Sequence, residues 1–365
     1  MDFLGFFIIC VKVLVVFTAT MVTVLMMVYA ERRVSAFMQG RLGPNRVGPQ
    51  GLLQPVADGI KFLMKEDIIP EGVNKPIYLL APAMLLIPAL MTFAVIPFGT
   101  TITLLGREVP LQVADLNVGI LYILALQSIG VYGLVLAGWA SNSKYSLIGG
   151  LRSSAQLISY ELAMGLSVVS VILLAGSLKL NVIVEDQQGY LLSWNVFKQP
   201  VAFLSFLVAV YAETNRLPFD LTEAEQELVG GYHTEYSSMK FAMFFTAEYA
   251  NMVTAAALTV TLFFGGWDVP LLDETSMGAL GAILSVLSFI LKTAFILFLF
   301  IWVRWTFPRF RYDQLMKLGW KVMLPLALIN IFVTGGYLTL TSLRKWQLLL
   351  NLMNLLFGIG FISPR

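Results

Sequence analysis

Long apolar runs alternate with short polar segments along the chain, and this alternation predicts membrane-spanning helices. A run of about 18 or more apolar residues can cross the roughly 30 Å hydrocarbon core of a bilayer as a helix. The pattern predicts eight spans, of which the fifth has a short apolar core that must extend to Glu213, and a marginal ninth. The predicted spans are Leu4–Tyr29, Ile77–Phe98, Val118–Ala140, Ala155–Ser177, Val201–Tyr211, Phe241–Gly265, Gly278–Val303, Val322–Leu343 and Gln347–Ile362.

Composition agrees with this pattern and excludes several kinds of site. Hydrophobic residues make up 58% of the 365 and charged residues 13%, whereas soluble domains carry about 25% charged residues. We therefore predict an all-α polytopic membrane protein, a single integral domain over residues 1–365. The one cysteine, Cys10, excludes an internal disulfide and a cysteine-ligated iron–sulfur cluster, and the one histidine, His233, excludes a zinc cluster.

The distribution of lysine and arginine predicts which loops face the cytoplasm. Sixteen of these residues fall in loops on one side of the predicted membrane and five on the other, and the richer side is normally cytoplasmic. The N-terminus is then outside, and three segments are inside: the first loop 31–76, the acidic loop 213–240 and the basic loop 304–321. Because the basic residues flank the membrane, their number does not indicate nucleic acid, and protein or lipid headgroups are comparable partners for the basic loop.

The segment between Glu213 and Asn251 concentrates acidic residues beside a membrane. It holds seven of the 22 acids in the chain, at Glu213, Asp220, Glu223, Glu225, Glu227, Glu235 and Glu248. A solvated acidic loop is the simpler interpretation, but Glu213 and Glu248 fall inside apolar flanks, where a carboxyl needs a partner, a proton or water. Clustered carboxylates cannot all ionise, so the sequence predicts coupled groups that exchange protons near neutral pH.

Further candidates are charged residues inside spans and in the first loop. Glu161 and Lys292 lie well within predicted spans, where an ionisable group is costly and typical of a functional site. The first loop is about 45 residues long, and from Pro55 its apolar residues recur with a helical period, which predicts an amphipathic helix in the interface plane. Arg32, Arg41 and Asp58 of this loop are candidates for building a site.

Four ordered segments carry a resemblance to a known family, and they cover all four predicted inner loops. They resemble the quinone-site membrane subunit of respiratory complex I, the proton-pumping NADH:quinone oxidoreductase. The segments read ERRVSAFMQGRLGPNRVGPQGLLQPVADGIKFLMKE, GWASNSKYSLIGGLRSSAQLISYE, AETNRLPFDLTEAEQELVGGYHTEYSSMKFAMFFTAEYAN and RWTFPRFRYDQLMKLGWK. The apolar runs between them match in position and length only.

The resemblance implies a function shared with partner subunits. The chain would wall a chamber that quinone enters from the lipid bilayer, where hydrophilic-arm subunits meet the membrane arm. NADH, flavin and iron–sulfur clusters, including the terminal cluster, would belong to those partners, and the isolated chain would bind no cofactor and be inactive. Quinone reduction would drive protons through buried acids toward other membrane-arm subunits, in a bacterial cytoplasmic (inner) membrane rather than a mitochondrial one.

Residue by residue, the resemblance implies two groups of functional positions. The proton-relay candidates are Glu161, Glu213, Glu248, Asp220, Glu223, Glu225, Glu227 and Glu235, with Lys292 added as a buried cation. The quinone-chamber candidates are Arg32, Arg41, Asp58 and Arg216. Two alternatives stay open: the membrane subunit of an energy-converting hydrogenase, which would use ferredoxin and no quinone, and a stand-alone ion transporter.

Overall fold

The computed structural model describes residues 3–104, 107–220, 230–272, 274 and 277–357, and most of them are helical. The helices are α1 (Phe3–Met38), α2 (Gln54–Met64), α3 (Lys75–Met91), α4 (Gly119–Ala140), α5 (Lys144–Ala175), α6 (Leu180–Glu185), α7 (Asn195–Lys198), α8 (Pro200–Glu213), α9 (Ser238–Phe263), α10 (Ala279–Thr306), α11 (Tyr312–Lys317) and α12 (Leu324–Phe357). A π-helical segment, Leu318–Met323, joins α11 to α12.

Within the described residues, six helical segments are long and apolar enough to cross a membrane. They are Phe3–Met38, Lys75–Ala94, Gly119–Ala140, Lys144–Ala175, Ala279–Thr306 and Tyr312–Thr341. The shorter apolar helix α8 and the central helix α9 occupy the remaining two of the eight predicted positions. The predicted class, an all-α polytopic membrane protein, is confirmed, and α2 is the predicted helix of the first loop.

Several helix boundaries differ from the sequence prediction. α1 continues to Met38, so that Glu31, Arg32 and Arg33 lie on the helix instead of ending it, and α5 begins at Lys144 rather than at Ala155. Arginine and lysine are good helix formers, and a helix can extend past the apolar core of a bilayer into the aqueous interface. Hydropathy therefore locates the membrane-embedded part of a helix and misses its polar ends.

The last two predicted spans are not separate helices in the described chain. α12 runs from Leu324 to Phe357 without a break, because the residues between the two predicted spans are helix formers with no glycine or proline to end the helix. Residues 358–362 of the predicted ninth span lie outside the described residues. A short antiparallel hairpin, β1 (Thr101–Leu104) and β2 (Arg107–Pro110), was not predicted.

α9 lies at the centre of the helix bundle. From Met252 to Phe263 every residue of this helix is buried, as expected for a helix that is apolar on all sides and packed all round. In contrast, α1 exposes large apolar side chains such as Phe3, Leu14 and Val15, which suits a helix at the edge of the bundle facing lipid. Ionisable residues carried by α9 are therefore enclosed by protein.

A glycine on α5 allows a surface turn to pack closely against the bundle. A Cβ atom at Gly149 would lie 2.7 Å from backbone atoms of Gly231 and Tyr232, in the 3₁₀ turn Gly231–His233. No ordinary side chain fits this distance, so only glycine lets the turn sit directly on the helix. The contact places Tyr232 against the interior of the bundle, where it is 2% exposed.

We predict that Gly149→Ala destabilises the protein by about 1–3 kcal/mol, because the added methyl overpacks this contact. The matched control is Gly165→Ala on the same helix, where a Cβ would meet nothing within 4 Å. Thermal denaturation of the purified protein in detergent measures the effect. Equal melting temperatures for the two variants would contradict the prediction.

Candidate functional site

Three of the predicted buried acids line one internal cavity. Glu161 on α5, Glu213 at the end of α8 and Glu248 on α9 all contribute to its wall. The cavity has a volume of about 30 Å³, which is room for water among polar groups. Its other polar lining residues are Thr92, Gln127, Thr214, Asn215, Tyr232 and Asn251. We call this the carboxyl cavity.

The three carboxyls of the carboxyl cavity have different surroundings. Glu161 accepts a hydrogen bond from the hydroxyl of Ser128 on α4. Oε2 of Glu213 is buried and has no hydrogen-bond partner within the described part of the chain. Oε2 of Glu248 lies 3.8 Å from Nη2 of Arg216. A buried carboxyl that lacks a partner is stable only as the neutral acid or with water beside it, so the site can hold protons.

A buried group of charges adjoins the carboxyl cavity through Glu248. Nη1 of Arg216 lies 3.4 Å from both carboxylate oxygens of Glu31, and the Arg216 guanidinium stacks over the ring of Tyr249 at 4.3 Å. The Tyr249 hydroxyl donates to Glu31 at 2.6 Å, and Arg304 also donates to Glu31. We call Glu31, Arg216, Glu248, Tyr249 and Arg304 the ionic cluster.

The ionic cluster balances its charges, because its two arginines face two carboxylates. Burial of Arg216 disfavours its charged form, but the carboxylates of Glu248 and Glu31 outweigh burial and raise the Arg216 pKa above its usual value. Arg216 is therefore always charged and connects α1 to α9. Three members were not predicted from the sequence, since Glu31 falls at the start of the first loop, Arg304 falls at the start of the basic loop, and Tyr249 is an ordinary residue for a helix.

The predicted residues of the first loop meet at the end of α1. Arg32 pairs with Asp58 of α2 at 2.5 Å, and Lys61 lies 3.5 Å from the same carboxylate. Arg32 and Arg41 both line a second, more open cavity of about 290 Å³, which we call the arginine cavity. Three of the four predicted chamber residues are thus brought together, whereas the fourth, Arg216, lies in the ionic cluster.

The remaining acids of the acidic loop are only partly described. Asp220 pairs with Arg309 of the basic loop at 3.2 Å. Glu235 is half-buried, and its backbone carbonyl accepts a hydrogen bond from the Tyr78 hydroxyl at 2.7 Å. Glu223, Glu225 and Glu227 lie outside the described residues, so their predicted role in a proton relay stays a prediction.

Lys292 lies away from both cavities, and its ammonium forms the polar contacts that were predicted for it. Its ammonium donates to three backbone carbonyls that follow the end of α9, those of Phe264, Gly266 and Asp268, at 2.6–3.1 Å. Glu248 lies sixteen positions earlier than Phe264 along α9, which is about 24 Å at 1.5 Å per residue. Lys292 was predicted to belong to the same relay as the acids, but within the described residues it lines neither cavity, so this role stays a prediction.

Taken together, the fold and the site define a polytopic α-helical membrane protein that encloses ionisable groups in its core. A family model described as NADH dehydrogenase matches residues 11–335. The chain belongs to this family, as the resemblance of its loops had indicated.

Curated relatives are similar over almost their whole length. An NADH-quinone oxidoreductase subunit of Geobacter sulfurreducens is 56% identical over 91% of this chain and 95% of that protein. An NADH-quinone oxidoreductase subunit of Geobacter metallireducens is 57% identical over 89% of this chain and 93% of that protein. NADH-quinone oxidoreductase subunit 8 of Rhodothermus marinus is 56% identical over 87% of this chain and 93% of that protein.

Removing the cation at the centre of the ionic cluster should be costly. We predict that Arg216→Met lowers stability by about 3–5 kcal/mol, because Glu248 and Glu31 lose a buried counter-charge. Lys317→Met is the control: Lys317 and Asp313 form an ion pair on α11 with side chains 67% and 63% exposed, worth no more than about 0.5 kcal/mol. Thermal denaturation in detergent compares them, and a similar loss in both variants would show that the cluster is not stabilised as described.

Proposed function

We propose that this chain is the membrane subunit of a proton-pumping NADH:quinone oxidoreductase, and that it couples quinone reduction to proton transfer. The relatives named above, which are all quinone oxidoreductase subunits, support the enzyme class over a ferredoxin-dependent hydrogenase. The observation that carries the coupling role is the meeting of Glu161, Glu213 and Glu248 on one internal cavity. A purely structural set of helices has no need for three carboxyls there.

The arginine cavity is the proposed approach of the quinone headgroup. It is lined by Arg32, Arg41 and Ser35 together with apolar residues such as Leu42 and Pro44, so that a headgroup there would meet both polar and apolar side chains. The neighbouring helix α2 exposes Ile60, Leu63 and Met64. These apolar side chains would rest on the lipid from which a long-tailed quinone arrives.

The ionic cluster is the proposed electrostatic link between the two cavities. Arg32 follows Glu31 directly on α1, Glu31 pairs with Arg216, and Arg216 reaches Glu248 at the carboxyl cavity. A quinone that accepts electrons becomes more basic and takes up protons. A charge that appears near Arg32 changes the energy of the charges along this series, and Glu248, Glu213 and Glu161 exchange protons in response.

Electrons reach the quinone from partner subunits. NADH, flavin and iron–sulfur clusters supply the electron transfer there, and this chain contributes the walls, charges and proton-binding groups described above. We place the first loop and the acidic and basic loops on the cytoplasmic side of a bacterial inner membrane, facing the hydrophilic arm, with the N-terminus outside. Other membrane-arm subunits would receive the proton transfer from the carboxyl cavity.

Glu213→Gln tests the coupling role most directly. Glutamine is close to glutamate in shape but cannot carry a proton, so we expect assembly to be preserved and quinone reduction and proton pumping to fall together by at least tenfold. Both rates are measured in vesicles that contain the enzyme with its full subunit content. The control is Asp313→Asn, because the Asp313 side chain is exposed on α11. Wild-type rates of both processes in the Glu213 variant would remove this carboxyl from the coupling path.

Arg41→Ala tests the arginine cavity. We expect the apparent KM for a short-chain quinone to rise severalfold in the assembled enzyme, because the headgroup loses a cationic neighbour. Arg46→Ala is the matched control, since Arg46 lies in the same loop but does not line the cavity. If the KM is the same in both variants and in the wild type, Arg41 helps to orient the chain in the membrane but does not contribute to quinone binding.

A stand-alone ion transporter is the competing function of another class. It predicts ion flux by the isolated chain in liposomes, whereas the proposed function requires the partner subunits for any turnover. Proton or sodium flux through the purified single chain would overturn the subunit assignment, and quinone-dependent turnover of the assembled enzyme would support it.

A further inference from the structure

A second group of buried ionisable residues lies at the end of α9 that is opposite to the carboxyl cavity. It consists of Asp268 and Glu274, in the segment after α9, and Lys292 on α10, and we call it the outer triad. Asp268 is 1% exposed and Glu274 is 3% exposed. The mechanism proposed above does not use any of these three residues.

The ammonium of Lys292 is held in a built site. Its three acceptor carbonyls lie 2.8 Å (Phe264), 3.1 Å (Gly266) and 2.6 Å (Asp268) from Nζ, and the ring of Trp194 lies 4.6 Å from it. Carbonyls at the C-terminal end of a helix carry partial negative charge and favour a cation. The location of Lys292 therefore keeps a positive charge beside the two acids.

The two acids have unequal hydrogen bonding. The Glu274 carboxylate accepts a bond from the backbone N–H of Val269. Oδ2 of Asp268 is buried and has no well-formed hydrogen bond in the described part of the chain, although the Trp194 side chain and the Gly189 backbone interact with this carboxylate and offset part of the cost of its burial. The segment is fixed from α10, because Ser288 donates to the Asp268 carbonyl at 3.0 Å. The backbone at Asp268 is thus held by hydrogen bonds while its Oδ2 atom is not. A proton bound to the carboxylate would neutralise it.

The charge balance of the outer triad requires one bound proton. With all three groups ionised, one cation faces two anions, and an uncompensated charge in a buried site is costly. One proton on either carboxyl makes the group neutral. Both carboxyls interact electrostatically with Lys292, and Asp268 also acts on Glu274, so the proton belongs to the pair rather than to one residue.

We propose that Asp268, Glu274 and Lys292 form a second proton-binding site of this chain, in which two buried carboxyls share one exchangeable proton next to a fixed ammonium. The site is separate from the carboxyl cavity, since the two lie at opposite ends of α9. Leu271 and Leu272, which follow Asp268 in the chain, are 75% and 46% exposed.

The surroundings contain few other charges that could satisfy the two acids. Burial raises the pKa of both Asp268 and Glu274, and Lys292 opposes this only in part. On the neighbouring helix α6, Val184 packs against Gly266, Glu185 is exposed, and Asp186 forms a surface pair with Lys198 at 3.4 Å. Asp273 lies outside the described residues.

Infrared difference spectroscopy of the assembled enzyme at pH 7 tests the proposal. Asp268→Asn and Glu274→Gln each leave one acid to neutralise Lys292, so either variant should assemble. Each should lose the C=O stretching band of one protonated carboxyl per chain relative to the wild type. The control is Asp186→Asn, which should lose only the bands of an ionised carboxylate. Because this readout detects bound protons, it does not depend on quinone turnover.

If Asp268→Asn and Glu274→Gln both lose ionised-carboxylate bands and no protonated band, the triad holds no proton and the proposal is wrong. Should Asp268→Asn fail to assemble, Glu274→Gln gives the same comparison. The double variant leaves Lys292 without a counter-charge, so its yield of assembled enzyme should fall by more than the product of the two single effects.

Discussion

The cost of burying charge in a membrane protein determines how this molecule is built. An ionised side chain in the interior must meet an opposite charge, a set of polar atoms or a proton. The ionic cluster uses the first solution, with Arg216 and Arg304 facing Glu31 and Glu248. Lys292 uses the second, with three carbonyls. Glu213, whose Oε2 has no partner in the described chain, is left with the third. Glu248 takes part in both arrangements, because it faces Arg216 and also lines the carboxyl cavity.

α9 positions most of these charged groups, because the other helices surround it. Its N-terminal half carries Glu248 and Tyr249 to the ionic cluster, and the segment after its C-terminal end supplies the carbonyls for Lys292. Between these ends its side chains are buried and lack ionisable groups. The ionisable groups around α9 thus lie toward its two ends, where polar segments and tightly packed turns can complete their hydrogen bonds.

Much of the candidate site could be anticipated from individual residues. Glu161, Glu213 and Glu248 are visible in the sequence because each is an acid inside or beside an apolar run, and the structure brings all three to one cavity. Arg32 and Asp58 were candidates because the first loop is long enough to build a site and because of the family resemblance, although their direct contact at 2.5 Å was not predictable. Glu31 and Arg304 were not singled out, because a charge next to the end of a predicted span is readily explained by its contact with water at the membrane surface.

The sequence alone determined the class of protein, the approximate positions of the membrane spans and the three acids of the carboxyl cavity, because hydropathy and charge are local properties of the chain. Only the tertiary structure decided that Arg216 faces Glu31, 185 positions away, that Lys292 lies apart from the carboxyl cavity, and that Gly149 must be glycine to admit the turn at Gly231. These features depend on which faces of distant helices meet. Helix packing depends on the shapes of many side chains at once, so it cannot be predicted from any single segment.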